Sequence, residues 1–364
     1  MEISLKPEPT TNVKNSIGKQ KLELIQAFRG LAALLVLLFH VSELSQQKLQ
    51  QSFLWNIFDF GSAGVDFFFV LSGFIIFFIH RKDMGHKEKL KQFILKRFIR
   101  IYPLYWIVTL TLLPIYFMIP TFGFGYERNP TVIIKSLLLY PQDNFPILVV
   151  GWTLSYEIFF YLMFSLTMFL PLKLARKIIF GWLIGTVILF MATLVTQFDF
   201  KEYFWIWFIF NSRNLEFILG CLAGYWISKH SVKQKAFLLF TGSFLFIWFG
   251  LLKTYNVINL DPVIAYGITS TLIIIGAVSL ELKKSLNVPS FLCNLGDASY
   301  SIYLIHYPCL SILFKIALAA RLVSLFGYYT IMIAIICITL ALGIICHLYI
   351  ENKLVNYLRI RLIS

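Results

Sequence analysis

Charge is what this chain has least of. Asp, Glu, Lys and Arg make up 14% of its 364 residues, against 59% hydrophobic ones, and the mean hydropathy is +0.77. A soluble domain of this length needs a polar surface that so few charges cannot supply, so a soluble enzyme is excluded and a polytopic membrane protein is expected. Cysteine is sparse too. Cys221, Cys293, Cys309, Cys337 and Cys346 show no metal-ligand spacing and mostly fall in apolar runs. They read as packing thiols, so neither a metal site nor a covalent cysteine intermediate is expected. The weak dyad alternation of a transmembrane barrel is lacking, which leaves helices to satisfy the backbone in lipid.

What is present is a series of about ten apolar runs: 22–41, 63–79, 101–119, 147–170, 178–195, 203–227, 236–252, 263–280, 298–320 and 325–350. The expected fold is therefore all-α, with about ten transmembrane helices in one domain, 22–350. A polar tail, 1–21, precedes it, carries Pro7 and Pro9, and reads as flexible. A short basic tail, 351–364, follows. The first run is long and has no small-residue cleavage site after it, so it reads as a retained helix. Segment 118–146 is a long loop rich in Gly and Pro. Segment 285–295 is too short to span and reads as interfacial or re-entrant.

The net charge of +14 raises nucleic acid as a partner, but its distribution points to a bilayer. With the N-terminus inside, 23 of the 32 Lys and Arg fall in inside segments, 7 fall outside, and Arg29 and Arg213 lie within spans. This bias places both termini in the cytoplasm and accounts for the basic composition.

Against that apolar background the buried ionisable residues stand out. Arg29 and His40 lie eleven residues apart in the first run, LELIQAFRGLAALLVLLFHV. They share nearly one helix face, about 16 Å apart along the axis. Ionisable groups in a span usually face a protein interior or a watery cavity, although an Arg can also snorkel to headgroups and a His anchor an interface. Arg97 and Arg100, at i and i+3 where the third span begins, suit a phosphate-bearing ligand; positive-inside anchoring is the plainer reading. Pro103 is expected near that helix start. Asp66 sits at the same depth as His40 on the next span and is a candidate to orient its imidazole; Ser72 and Gly73 read as helix packing. Glu157 is a second candidate for orienting His40. Arg213 and Glu216, at i and i+3, form a pair that can neutralise itself. His306 is either a cross-helix hydrogen bonder or a second functional imidazole.

Six blocks now carry a resemblance: Arg29-x10-His40, FFFVLSGF (67–74), RFIRIYPLYW (97–106), WTLSYEIFFY (152–161), RNLEFILG (213–220) and SYSIYLIHYP (299–308). In this order they resemble the membrane-bound acyltransferase-3 family, and within it the bacterial exopolysaccharide and lipopolysaccharide O-acetyltransferases. Threonine at 153 replaces the family's usual serine. The resemblance implies a multi-pass enzyme of the bacterial cytoplasmic (inner) membrane that moves an acetyl group from cytoplasmic acetyl-CoA to a hydroxyl of a polysaccharide or lipid-linked glycan. It matches Arg29 and His40 to the family's essential pair and Arg97 and Arg100 to its basic motif. Glu157, Arg213, Glu216 and His306 match recurrent motif positions.

Chemistry and resemblance together suggest that Arg97 and Arg100, with Arg29, hold CoA phosphates while His40 acts as general base, its tautomer set by Asp66 or Glu157. An acetyl-His40 intermediate is a variant of that scheme. The competing reading is a glycan-precursor transporter or flippase that uses the same buried charges as a permeation path without acyl transfer.

Overall fold

The computed structural model describes residues 22–119, 122–196, 200–258, 260–283 and 286–363; the expected flexible tail, 1–21, lies outside them. Among the described residues there is no strand, and eight helical stretches are long and apolar enough to cross a membrane. We number the helices α1 Glu23–Leu49, α2 Ala63–His80, α3 Leu90–Met118, α4 Pro130–Leu137, α5 Gly151–Phe169, α6 Leu172–Thr196, α7 Phe204–Ile209, α8 Arg213–Lys229, α9 Lys235–Thr254, α10 Ile268–Glu281, α11 Ser290–Asp297, α12 Ser299–Ala319, α13 Leu322–Phe326, α14 Tyr328–Cys346 and α15 Asn352–Ile363.

Two of the ten expected spans are not among the eight. The run at 147–170 folds as α5, whose interior-facing Thr153, Ser155 and Tyr156 are buried. The run at 203–227 breaks at Asn211–Ser212 into α7 and the 17-residue α8, whose first turn holds Arg213, Asn214 and Glu216. Both carry polar side chains because they line the interior of the bundle instead of facing lipid.

The centre of the bundle is α2, apolar nearly all round and buried over most of its length. It lies against α8 at backbone contact. A Cβ added to Gly73 would collide with the Phe217 carbonyl oxygen, and one added to Gly220 with that of Val70. Gly73 is therefore a packing residue, as expected, whereas Ser72 donates from Oγ to Glu157 Oε1 at 3.0 Å. Because both obstacles are backbone atoms, Gly73→Val should cost about 3 kcal/mol or more. A melting curve of the detergent-extracted variant reads this, and an unchanged midpoint would refute the crossing.

Pro103 lies inside α3, not near its start, because the helix begins at Leu90 and runs through both Pro103 and Pro114. Close to Pro103, Tyr300 Oη of α12 donates to the Ile101 carbonyl at 2.7 Å and ties the two helices together. The segment expected to be interfacial contributes α11, an eight-residue helix docked on the Arg29 half of α1. Within the long loop α4 forms, capped by Asn129, whose side chain accepts from the Thr131 amide. The expected basic tail is helical: α14 passes through a single π-helical turn, His347–Glu351, into α15. Such turns often mark functional positions, and this one turns Glu351 into the bundle.

Candidate active site

Three of the arginines singled out above converge on one cavity of about 480 Å³. Arg29 reaches it from α1, Arg97 and Arg100 from α3, and Glu157 and Tyr161 line it from α5. A single turn of α3 serves two of these positions because i and i+3 share a helix face.

Their surroundings differ. Arg29 Nη1 donates to Gln26 Oε1 at 2.7 Å, one turn back on α1. The Arg97 guanidinium lies between the Phe93 and Tyr161 rings, 5.8 and 5.7 Å from their centroids. It also approaches His80 Nε2 at 3.4 Å, while His80 Nδ1 donates to Asp83 at 2.8 Å. Among the described residues Arg97 has no carboxylate ion pair. Arg100 does: Nη1 meets Glu351 Oε1 at 2.5 Å, and the guanidinium covers the Tyr300 ring at 4.7 Å. Glu351 is buried and also accepts from Ser301 Oγ at 2.7 Å and His347 Nδ1 at 2.8 Å. The two arginines are thus not equivalent forks. Arg100 is committed to a carboxylate, and Arg97 is held by aromatic faces that leave its hydrogen-bonding capacity for a ligand.

His40 sits three turns further along α1. Its Nδ1 donates to Glu43 Oε2 at 2.8 Å, and its side chain is 17% exposed. In the neutral ring this bond fixes the proton on Nδ1 and leaves Nε2 with its lone pair. The ring lies 5.2 Å from that of His306 and 5.0 Å from that of Tyr307, which meets it edge-on. His306 is fully buried. Its Nδ1 donates to the Tyr303 carbonyl at 2.7 Å, and its Nε2 has no hydrogen-bond partner among the described residues. Tyr303 in turn lines the arginine cavity, its hydroxyl 2.9 Å from Thr153 Oγ1. The two imidazoles and one tyrosine therefore connect His40 to that cavity.

Neither expected orienting carboxylate reaches His40. Glu157 accepts from Ser72 Oγ and from the Tyr161 hydroxyl, inside the arginine cavity. Asp66 lies beside Glu216, within the fields of Arg213, Lys253 and Asp261. Burial raises the Asp261 carboxyl above its ordinary range. Arg213 and Glu216 do not form the direct ion pair that their spacing suggested. The Arg213 guanidinium lies over Trp152 at 5.0 Å, while Glu216 is fully buried next to Asp66. The carboxylate that does touch His40, Glu43, was missed. Its signal was the i,i+3 spacing on the same helix, but at an interfacial helix end a glutamate reads as ordinary polar surface. Glu351 was missed as well, because it falls just past the last apolar run.

Residues 23–348 match the acyltransferase-3 family, described as an acyltransferase domain. The chain is similar to the exopolysaccharide production protein ExoZ of Rhizobium meliloti, with 30% identity over 84% of this chain and 93% of ExoZ. It is also similar to the acyltransferase MdmB of Streptomyces mycarofaciens, with 25% identity over 79% of this chain and 78% of MdmB. The peptidoglycan O-acetyltransferase OatA of Listeria monocytogenes is likewise 25% identical, over 79% of this chain and 49% of OatA. No solved structure matches. The chain belongs to the acyltransferase-3 family: it is a multi-pass membrane acyltransferase.

Proposed function

We propose that this acyltransferase moves an acetyl group from cytoplasmic acetyl-CoA to a hydroxyl of an exported or cell-surface glycan. The observation that carries the reading is the continuity from Arg29, Arg97 and Arg100, through Tyr303 and His306, to His40 held by Glu43. In the proposed topology, ten helices cross the bacterial inner membrane, α5 and the α7–α8 pair included, with both termini cytoplasmic. The lysine and arginine bias supports this orientation. It puts the arginines at the inner mouth and His40 toward the outer face.

In the proposed reaction the CoA phosphates lie at the arginines and the thin thioester arm reaches outward. His40 Nε2 takes the proton of the acceptor hydroxyl as its oxygen attacks the thioester carbonyl. The carbon–sulfur bond breaks, and the departing thiolate takes the proton back from His40. Glu43 holds Nδ1–H in place and stabilises the imidazolium between the two transfers, as the carboxylate of a catalytic triad does. In the acyl-histidine variant, Nε2 attacks the thioester first and expels the CoA thiolate; the glycan hydroxyl then attacks the acyl carbon, the carbon–nitrogen bond breaks, and the hydroxyl proton passes to the thiolate. Asp66, Arg213 and Glu216 form a separate buried cluster in this scheme and make no contact with His40.

The relatives' names support the glycan side of this reading: ExoZ is an exopolysaccharide production protein and OatA a peptidoglycan O-acetyltransferase. Family membership favours acyl transfer over glycan translocation without chemistry. Purified protein incubated with acetyl-labelled acetyl-CoA and a de-O-acetylated cell-surface polysaccharide should move label to the polysaccharide. Translocation of glycan with no label transferred would sink the proposal.

A further inference from the structure

A second cavity, of about 390 Å³, lies apart from the arginines. Its size is within the range of small-ligand sites. Its lining is segment 140–146 together with Trp152, Tyr156, Lys201, Phe204 and Trp207. The segment reads YPQDNFP, two aromatics flanking three hydrogen-bonding side chains. Leu139, buried and at φ 54°, turns the chain out of α4 to present it. Tyr140 and Phe145 are 46% and 50% exposed.

The polar atoms of this groove are incompletely used. Tyr156 is 2% exposed, and its hydroxyl has no hydrogen-bond partner among the described residues. Gln142 spends its amide nitrogen on Ser136 Oγ at 3.1 Å, which leaves its buried Oε1 without a partner there. A buried polar group without a partner costs about 1–3 kcal/mol, and each instance calls for an explanation. An acyl chain would cover the aromatic walls and satisfy neither atom. A pyranose satisfies both requirements: its C–H face lies on an aromatic ring, and its hydroxyls donate to Gln142 Oε1 and accept from the Tyr156 hydroxyl.

We propose that this groove seats a sugar residue of the acceptor, so that a glycan longer than one residue is held there while another residue reaches His40. Non-covalent contacts link the two places through Tyr116. Ile147, next to Pro146 of the groove wall, accepts from the Tyr116 hydroxyl at 3.2 Å. Tyr116 is in turn an electrostatic neighbour of Tyr307, the ring that abuts His40. The identity of the sugar as acceptor rests on the acyl-transfer reading; the sugar site itself does not.

The test is saturation-transfer NMR on the full chain in nanodiscs, with cellotetraose and maltotetraose as probes and no acyl donor present. Ring protons of at least one sugar should receive saturation. Tyr156→Phe, which removes only an unpartnered oxygen, and Tyr140→Ala, at the exposed rim, should each weaken binding roughly three- to tenfold. In the acyl-transfer assay both should raise the acceptor KM by a similar factor and leave the donor KM alone, a split that a merely structural role would not produce. Saturation from neither sugar, or binding undiminished in both variants, overturns the proposal. The two readings fail separately: sugar binding without transfer in the wild type removes the acyl-transfer reading and leaves the groove, and transfer without sugar binding does the reverse.

Discussion

His40→Ala should lower acyl transfer by about three orders of magnitude, the middle of the range for a positioned general base, while the protein remains folded and inserted. The structure separates these two effects. The His40 side chain is 17% exposed, and its one hydrogen bond is to Glu43, itself 37% exposed, so its loss opens no sealed cavity and strands no buried charge. His306 keeps its own anchor on the Tyr303 carbonyl. Glu43→Gln refines the test. The amide oxygen still accepts from Nδ1–H, so the tautomer is kept, but the charge that stabilises an imidazolium is gone. A loss of roughly tenfold to a hundredfold in kcat is expected, with both KM values little changed. Kinetics with labelled acetyl-CoA measure both variants. Transfer by His40→Ala within tenfold of the wild type would remove His40 from the chemistry, and full kcat in Glu43→Gln would remove the dyad.

The pairing of His40 with Glu43 also shows where sequence reading reaches its limit. Hydropathy locates α2 and α12 within a few residues, because lipid imposes one length and one composition on a spanning helix, whereas α1 continues eight residues past the end of its apolar run to Leu49. The runs that hold α5 and α8 are less uniformly apolar, because one face of each helix meets protein and cavity and can carry Thr153, Glu157, Arg213 and Glu216. Convergence of Arg29 with Arg97 and Arg100 was anticipated because each stood out as a cation against an apolar background. The partner of each was not. Glu43 and Glu351 lie at or beyond the ends of apolar runs, where a carboxylate is unremarkable until tertiary packing buries it. Asp66 and Glu157 were credited with orienting His40 on depth alone. Depth does not specify azimuth, and their helices turn them toward Glu216 and Ser72 instead.

Azimuth also separates Arg97 from Arg100, which the sequence presents as a pair. Arg97→Ala should raise the donor KM about ten- to a hundredfold, the value of one charge-assisted contact to phosphate. Its effect on the melting temperature should be small, since what it gives up within the protein is its place between two aromatic faces and one long contact to His80 Nε2 at 3.4 Å. Arg100→Ala should act chiefly on stability. It leaves Glu351, buried among Ser301 and His347, without its cation. Breaking a buried pair from one side costs about 3–5 kcal/mol, reduced here to about 2 kcal/mol because the Arg100 side chain is 36% exposed and solvent screens it. The double variant Arg100→Leu/Glu351→Leu should recover much of that loss, because removing both charges leaves neither uncompensated. Melting curves and donor KM values measured on all three variants decide the matter. If Arg100→Ala raises the donor KM at an unchanged melting temperature, the ion pair is not its main occupation and the phosphate assignment belongs to both arginines. If the two effects part as expected, Glu351 serves as the brace that holds the wall of the cavity, and Arg97 is the side chain on α3 that meets the donor.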